Sequence, residues 1–76
     1  MDKQLRLTFK ELKSIGFVKS KDRRVYKIKT ESGYISYNTH DDFYIHHAIW
    51  KDTSIQTALN ITHKPQLYSV LNAFFL

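Results

Sequence analysis

Seventy-six residues at 9.1 kDa leave room for one small domain, 1–76, because two cores cut from so short a chain would each be too thin to hold. Apolar residues at 42% and charged residues at 25% are the proportions of a globular chain, which sets aside wholesale disorder and a membrane protein alike. The net charge of +5 at pH 7 favours polyanionic or acidic partners, and the lack of any cysteine removes disulfides, thiolate metal sites and cysteine nucleophiles together.

The first element is legible in Leu7-Thr8-Phe9-Lys10-Glu11-Leu12. Thr8 as N-cap and Glu11 three residues on make a capping box, with Leu7 and Leu12 spaced for a hydrophobic staple, so a helix starts at Thr8. Gly16 suits the left-handed position that ends a helix, which places the stop near Ile15 and lets Phe17 fold back on Leu12. Phe9, Leu12 and Ile15 then form a narrow apolar stripe, with Lys10 and Lys13 outward. Before the cap, Leu5 and Leu7 alternate with polar neighbours, as in an extended arm or an edge pairing.

From Phe17 the period becomes two. Residues 17–20 and 24–30 read as strand interrupted at Lys21-Asp22-Arg23, Glu31-Ser32-Gly33 as a turn, and residues 34–38 as a second strand, together a hairpin. After the polar turn Thr39-His40-Asp41-Asp42 comes Phe43 to Trp50, with Phe43, Ile45, His47 and Ile49 on one face and Tyr44, His46, Ala48 and Trp50 on the other. Both faces are apolar, which predicts a central strand with one face against the helices and an aromatic surface on the other. Beyond Lys51-Asp52-Thr53-Ser54, the alternation of Ile55, Thr57, Leu59 and Ile61 suggests a further strand. Pro65 fits the first turn of a last helix whose Leu67, Val70, Leu71 and Phe74 recur at i, i+3, i+4, i+7. The expected fold is α+β: an antiparallel meander of three to four strands, with a short N-terminal helix and a C-terminal amphipathic helix on one face. No apolar run reaches the ~18 residues that span a bilayer, and Met1-Asp2-Lys3-Gln4 lacks the apolar segment of a signal peptide, so the expected compartment is the cytoplasm and no membrane is expected among the partners.

Charge is unevenly spread. Residues 1–29 carry ten Lys and Arg against three acids, a net +7, while residues 30–76 carry a net −2. A basic half of this kind attracts polyanions at long range, nucleic acid first and acidic protein surfaces next. The histidines give little chemistry. His46 and His47 are adjacent on a strand and point to opposite faces, so they cannot share a metal without a bulge, and His40 or His46 with Asp41 or Asp42 matches no known ligand spacing. No nucleophile elbow or phosphate-cradling glycine loop is present, so no catalytic residue, metal or cofactor is expected. What remains is the interleaving of Lys19, Lys21, Arg23, Arg24, Lys27 and Lys29 with Tyr26, and of Tyr34 and Tyr37 on the next strand, cations for phosphates beside rings for stacking.

Over residues 8–38 the helix, Gly-Phe junction and basic hairpin resemble the layout of HicA-type toxins, small basic domains similar to double-stranded-RNA-binding domains that cleave mRNA. That family places its catalytic histidine in a Gly-Ser-His-His stretch early in the second strand; this chain has Asp22-Arg23-Arg24-Val25 there, and its histidine doublet comes a strand later. The capped helix ending Leu-Lys-Ser-Ile-Gly-Phe, then Val-Tyr-Lys-Ile-Lys-Thr, then Ile61-Thr62-His63 with Gln66-Leu67 and Leu71, is similar to short uncharacterised proteins of bacterial phages and prophages. That likeness implies a phage or mobile-element accessory protein, for which binding a host macromolecule is a common role.

The leading expectation is therefore a small non-enzymatic interaction module that binds a host macromolecule through a basic hairpin and an aromatic sheet face, with Arg23, Arg24, Lys27, Tyr34, Tyr44 and Trp50 as the contact residues. The alternative is nucleic-acid binding by the same basic surface, and behind it a HicA-like ribonuclease using His46 or His47. Phe74-Phe75-Leu76 offers more apolar surface than one helix face needs and hints at a homo-oligomer.

Overall fold

The computed structural model describes residues 4–22 and 24–75, without the side chains of Phe74 and Phe75. Arg23 and Leu76 lie outside the described residues, as do the Phe74 and Phe75 side chains on which the oligomer expectation rested. The order is α1 (Phe9–Ile15), β1 (Val18–Lys19), β2 (Val25–Lys29), β3 (Gly33–Asn38), β4 (Phe43–Trp50), β5 (Thr53–Leu59) and α2 (Lys64–Phe75). The α+β class stands, but the sheet has five antiparallel strands in the order β1-β2-β3-β4-β5 rather than three to four. The extra strand comes from the expected interruption, where the chain reverses at Asp22 between two strands. There the Asp22 carboxylate accepts the Arg24 N–H at 3.0 Å, its carbonyl accepts the Ser20 hydroxyl at 2.9 Å, and Val18 pairs with Lys27.

Both halves of the Thr8–Glu11 capping box form, at 3.1 and 3.2 Å, and Gly16 closes α1 at φ 117°, with the Gly16 and Phe17 amides donating back to the Leu12 carbonyl. One correction concerns the apolar stripe: Leu12 is fully buried and Ile15 half-buried, but Phe9 is 70% exposed, its ring 6.0 Å from that of Tyr26. A helix of two turns has only its middle against the sheet, so its first turn overhangs. At α2 the Gln66 side-chain oxygen accepts the amides of Thr62 and His63 at 2.8 and 3.1 Å, satisfying donors that a helix N-terminus leaves open. Lys64 reaches back to Glu11 and ties the two helices together in an ion pair.

Both helices cover one face of the sheet. The core joins Leu12, Phe17, Leu67 and Leu71 to Ile28, Ile35, Tyr37 and Tyr44, with Leu7 and Ile61 closing one end. The N-terminal arm lies across that end: the Leu5 amide donates to the Ile61 carbonyl at 2.7 Å, and the Tyr44 hydroxyl donates to the Leu5 carbonyl at 2.6 Å. Ile61, expected as the last residue of a strand, is instead the partner of this arm. The Tyr37 ring packs against that of Tyr44, tilted by 32° with 4.7 Å between centroids, and its hydroxyl donates to Asp42 at 2.5 Å while accepting the Leu7 amide at 3.2 Å. Among the described residues no helix is long and apolar enough to cross a membrane.

Candidate functional site

Antiparallel register decides what the uncovered face displays. Asn38 pairs with Phe43, so Tyr37 stands opposite Tyr44 and both turn inward, while Tyr34 stands opposite His47 and both turn outward. Lys27 pairs with Ser36 and Lys29 with Tyr34. Two rows thus cross the open face, Lys27-Ser36-Ile45-Ala58 and Lys29-Tyr34-His47-Gln56.

The side chains of these rows form a compact stack. The Tyr34 ring lies nearly parallel to the His47 imidazole at 4.3 Å, and the Lys27 amine sits over the Tyr34 ring, 4.8 Å from its centroid. The Ser36 hydroxyl and His47 Nε2 share a hydrogen bond of 2.9 Å. His47 Nδ1 is buried with no partner, although no helix covers this face, because the Tyr34 ring lies against the imidazole. Burial, then the Lys27 charge, then His46 hold the His47 pKa below its ordinary value, so the ring is neutral at pH 7. A neutral imidazole with one nitrogen bound to a serine serves to brace Tyr34 and Lys27. His46, on the helix-covered face, has its Nε2 3.3 Å from the Ser32 hydroxyl. Among the described residues no cluster of His, Asp and Glu could hold a metal ion.

None of the strand residues is acidic, so among the described residues the acidic side chains are confined to turns and α1. At the β1–β2 edge a shallow cleft of about 600 Å³ is lined by Lys19, Ser20, Lys21, Asp22, Val25 and Lys27. Its one carboxylate is engaged by the Arg24 amide, which leaves three lysines around the concavity to face solvent.

The structure brings together only part of the expected contact set. Lys27 and Tyr34 meet on the open face, while Arg24 is exposed just before the start of β2, at the end away from the Lys29–Tyr34 pair, its carbonyl accepting the Thr39 amide at 2.7 Å. Tyr44 is corrected from surface to core: it is fully buried and its hydroxyl is spent on Leu5, because the Asn38–Phe43 pairing sends it inward. Trp50 is 72% exposed but lies at the far end of β4, by alternation on the opposite face from Lys27 and Tyr34. Of the three tyrosines expected to line one sheet surface beside the lysines, only Tyr34 does, since Tyr26 and Tyr37 face the helices. The sequence offered no sign of Ser36 or Asn38, and placed His47 and the half-exposed Phe43 on one face of β4 without linking them to Lys27; only the register marks these four as its neighbours. These features define a small α+β protein with one sheet face that neither helix covers, on which the described strand residues include Lys27 and Lys29 and no acid. No protein-family model, curated protein or solved structure matches the chain.

Proposed function

We propose that the protein is a non-enzymatic binding module that takes a single-stranded nucleic acid on the open face of its sheet. The observation that carries this reading is the Lys27–Tyr34–His47 stack on a face whose strands hold no acidic residue, beside a cleft ringed by Lys19, Lys21 and Lys27. Phosphates engage Lys21, Arg24, Lys27 and Lys29, and bases pack over Phe43, Asn38 and the edge of Tyr34. A host protein as partner of this same surface draws less support, because it relied on Tyr44 and Trp50 lying beside the basic hairpin. The setting implied by the likeness to phage and prophage proteins is an accessory factor acting on host nucleic acid.

Affinity capture from lysate of the source cell, with and without nuclease treatment, tests the proposal. Nucleic acid recovered with wild type, and lost with Lys27→Glu at unchanged circular dichroism, is the expected result. A specific protein recovered equally in both arms, with no nucleic acid, overturns it and restores a protein partner.

A further inference from the structure

The two edges of the sheet are built differently. β1 has two residues, one of them Lys19, with Lys21 just beyond, a short and charged edge of the kind that discourages pairing. β5 has seven residues, Thr53-Ser54-Ile55-Gln56-Thr57-Ala58-Leu59, and Thr53 to Ala58 are all exposed. It contains no charge, proline or glycine. Among the described residues it is bonded to β4 on one side only, so alternate residues turn their N–H and C=O groups outward. Leu5, bonded to Ile61, marks where this free edge ends.

We infer that the β5 edge is a pairing surface for a second copy of the same chain, which joins two sheets into one of ten strands about a two-fold axis at Gln56. The strand is self-complementary in that register. Gln56 meets its own copy, Ile55 meets Thr57, Ser54 meets Ala58 and Thr53 meets Leu59, so no charge opposes a like charge and β-branched residues face each other at the centre. Ile55, 59% exposed in the single chain, gains Leu59 of the copy as a diagonal apolar neighbour.

Charge selects the same edge. The basic hairpin lies three strand spacings away from β5, roughly 14 Å, beyond the Debye length of about 8 Å at physiological salt. Pairing through β5 leaves the two β2 strands roughly 34 Å apart. Pairing through β1 would instead press Lys19 and Lys21 of two chains together. The inference stands apart from the nucleic-acid reading, since β5 contributes nothing to the cleft or to the Lys27–Tyr34 pair.

Sedimentation velocity over a concentration series, on protein freed of nucleic acid, tests it with wild type, Gln56→Lys, Gln56→Glu and an equimolar mixture of the two variants. Wild type is expected to form a dimer, each variant alone to associate roughly fivefold more weakly, and the mixture to recover the wild-type affinity. A wild type that stays monomeric up to millimolar concentration, or a Gln56→Lys protein that pairs as tightly as wild type, overturns the inference. Should a variant lose its circular dichroism signal, hydrogen exchange on wild type decides. β5 amides facing away from β4 that slow as concentration rises support the pairing, and amides that exchange fast at every concentration overturn it.

Discussion

Replacing Tyr37 by Phe removes one oxygen and breaks two bonds. The hydroxyl donates to the Asp42 carboxylate at 2.5 Å and accepts the buried Leu7 amide at 3.2 Å. A bond to a charged acceptor contributes about 1.5–3 kcal/mol, and a buried amide left without a partner costs about 1–3 kcal/mol. The Asp42 side chain is 18% exposed and regains some water, which argues for the lower half of the combined range, roughly 2.5–4 kcal/mol. A domain this small rarely holds more than about 3–5 kcal/mol, so Tyr37→Phe is expected to bring the protein near its unfolding midpoint in plain buffer. Tyr44→Phe loses only the bond to the Leu5 carbonyl and is expected to cost about 1 kcal/mol. Arg6→Ala, which removes the exposed partner of Asp42, is expected to change stability by less than about 0.5 kcal/mol. Urea unfolding followed by circular dichroism reads all three. Burial first and the Asp42 bond second push the Tyr37 pKa up to about 12 from the ordinary 10. The native state therefore holds that proton more tightly than the unfolded chain, and this stabilisation is intact below pH 10 and lost as pH climbs through 12. Equal losses for Tyr37→Phe and Tyr44→Phe would refute the idea that the Leu7–Tyr37–Asp42 junction holds the arm to the sheet.

Gly33→Ala is expected to cost roughly 3 kcal/mol or more, since a Cβ there would sit 1.9 Å from the His47 carbonyl oxygen; the yield of folded protein and its urea midpoint measure this. Thr8→Ala removes the cap of α1 and is expected to lower stability by about 1 kcal/mol, with Thr8→Ser restoring most of it in the same assay. Because the pKa of His47 lies below the ordinary 6.5, the native state rejects a proton that the unfolded chain accepts. Stability is thus expected to hold above pH 6.5 and to fall as pH drops below it, and His47→Gln should flatten that part of a urea-midpoint profile.

What could be read in advance was what local chemistry decides. The Thr8–Glu11 box, the Gly16 stop and Pro65 in the first turn of α2 are bonds or dihedrals within a few residues of one another, and each is where the sequence put it. The bounds of β4 were also legible. Its faces were not, because apolar residues lie on both sides of the strand and nothing within it favours one inward set. That choice is made outside β4, by the turn before it. Asp42 takes φ 51°, fixes the Asn38–Phe43 pairing and bonds to Tyr37, and Tyr44 goes inside as a consequence. The same one-residue alternation removes Trp50 from the Lys27 face and brings His47 to it. Lys21-Asp22-Arg23 was misjudged for a related reason: three charged residues look like a solvated interruption until the Asp22 carboxylate is seen closing a turn on the Arg24 amide. The basic character of the hairpin could be counted, but the coupling of Lys27 to Tyr34, and of Tyr34 to His47, spans three strands and has no trace in one-dimensional spacing.

The central claim is that the open face binds a polyanion through its lysines, and the most direct test is the salt dependence of binding. Fluorescence anisotropy of a labelled single-stranded oligonucleotide, titrated between roughly 50 and 200 mM salt, yields the number of phosphates engaged. With Lys21, Arg24, Lys27 and Lys29 in contact, the logarithm of affinity is expected to fall against the logarithm of salt with a slope of about 3, and Lys27→Glu should reduce that slope by about 1 while weakening binding to all sequences alike. Affinity that is flat with salt, or unchanged by Lys27→Glu in a folded protein, would contradict the claim.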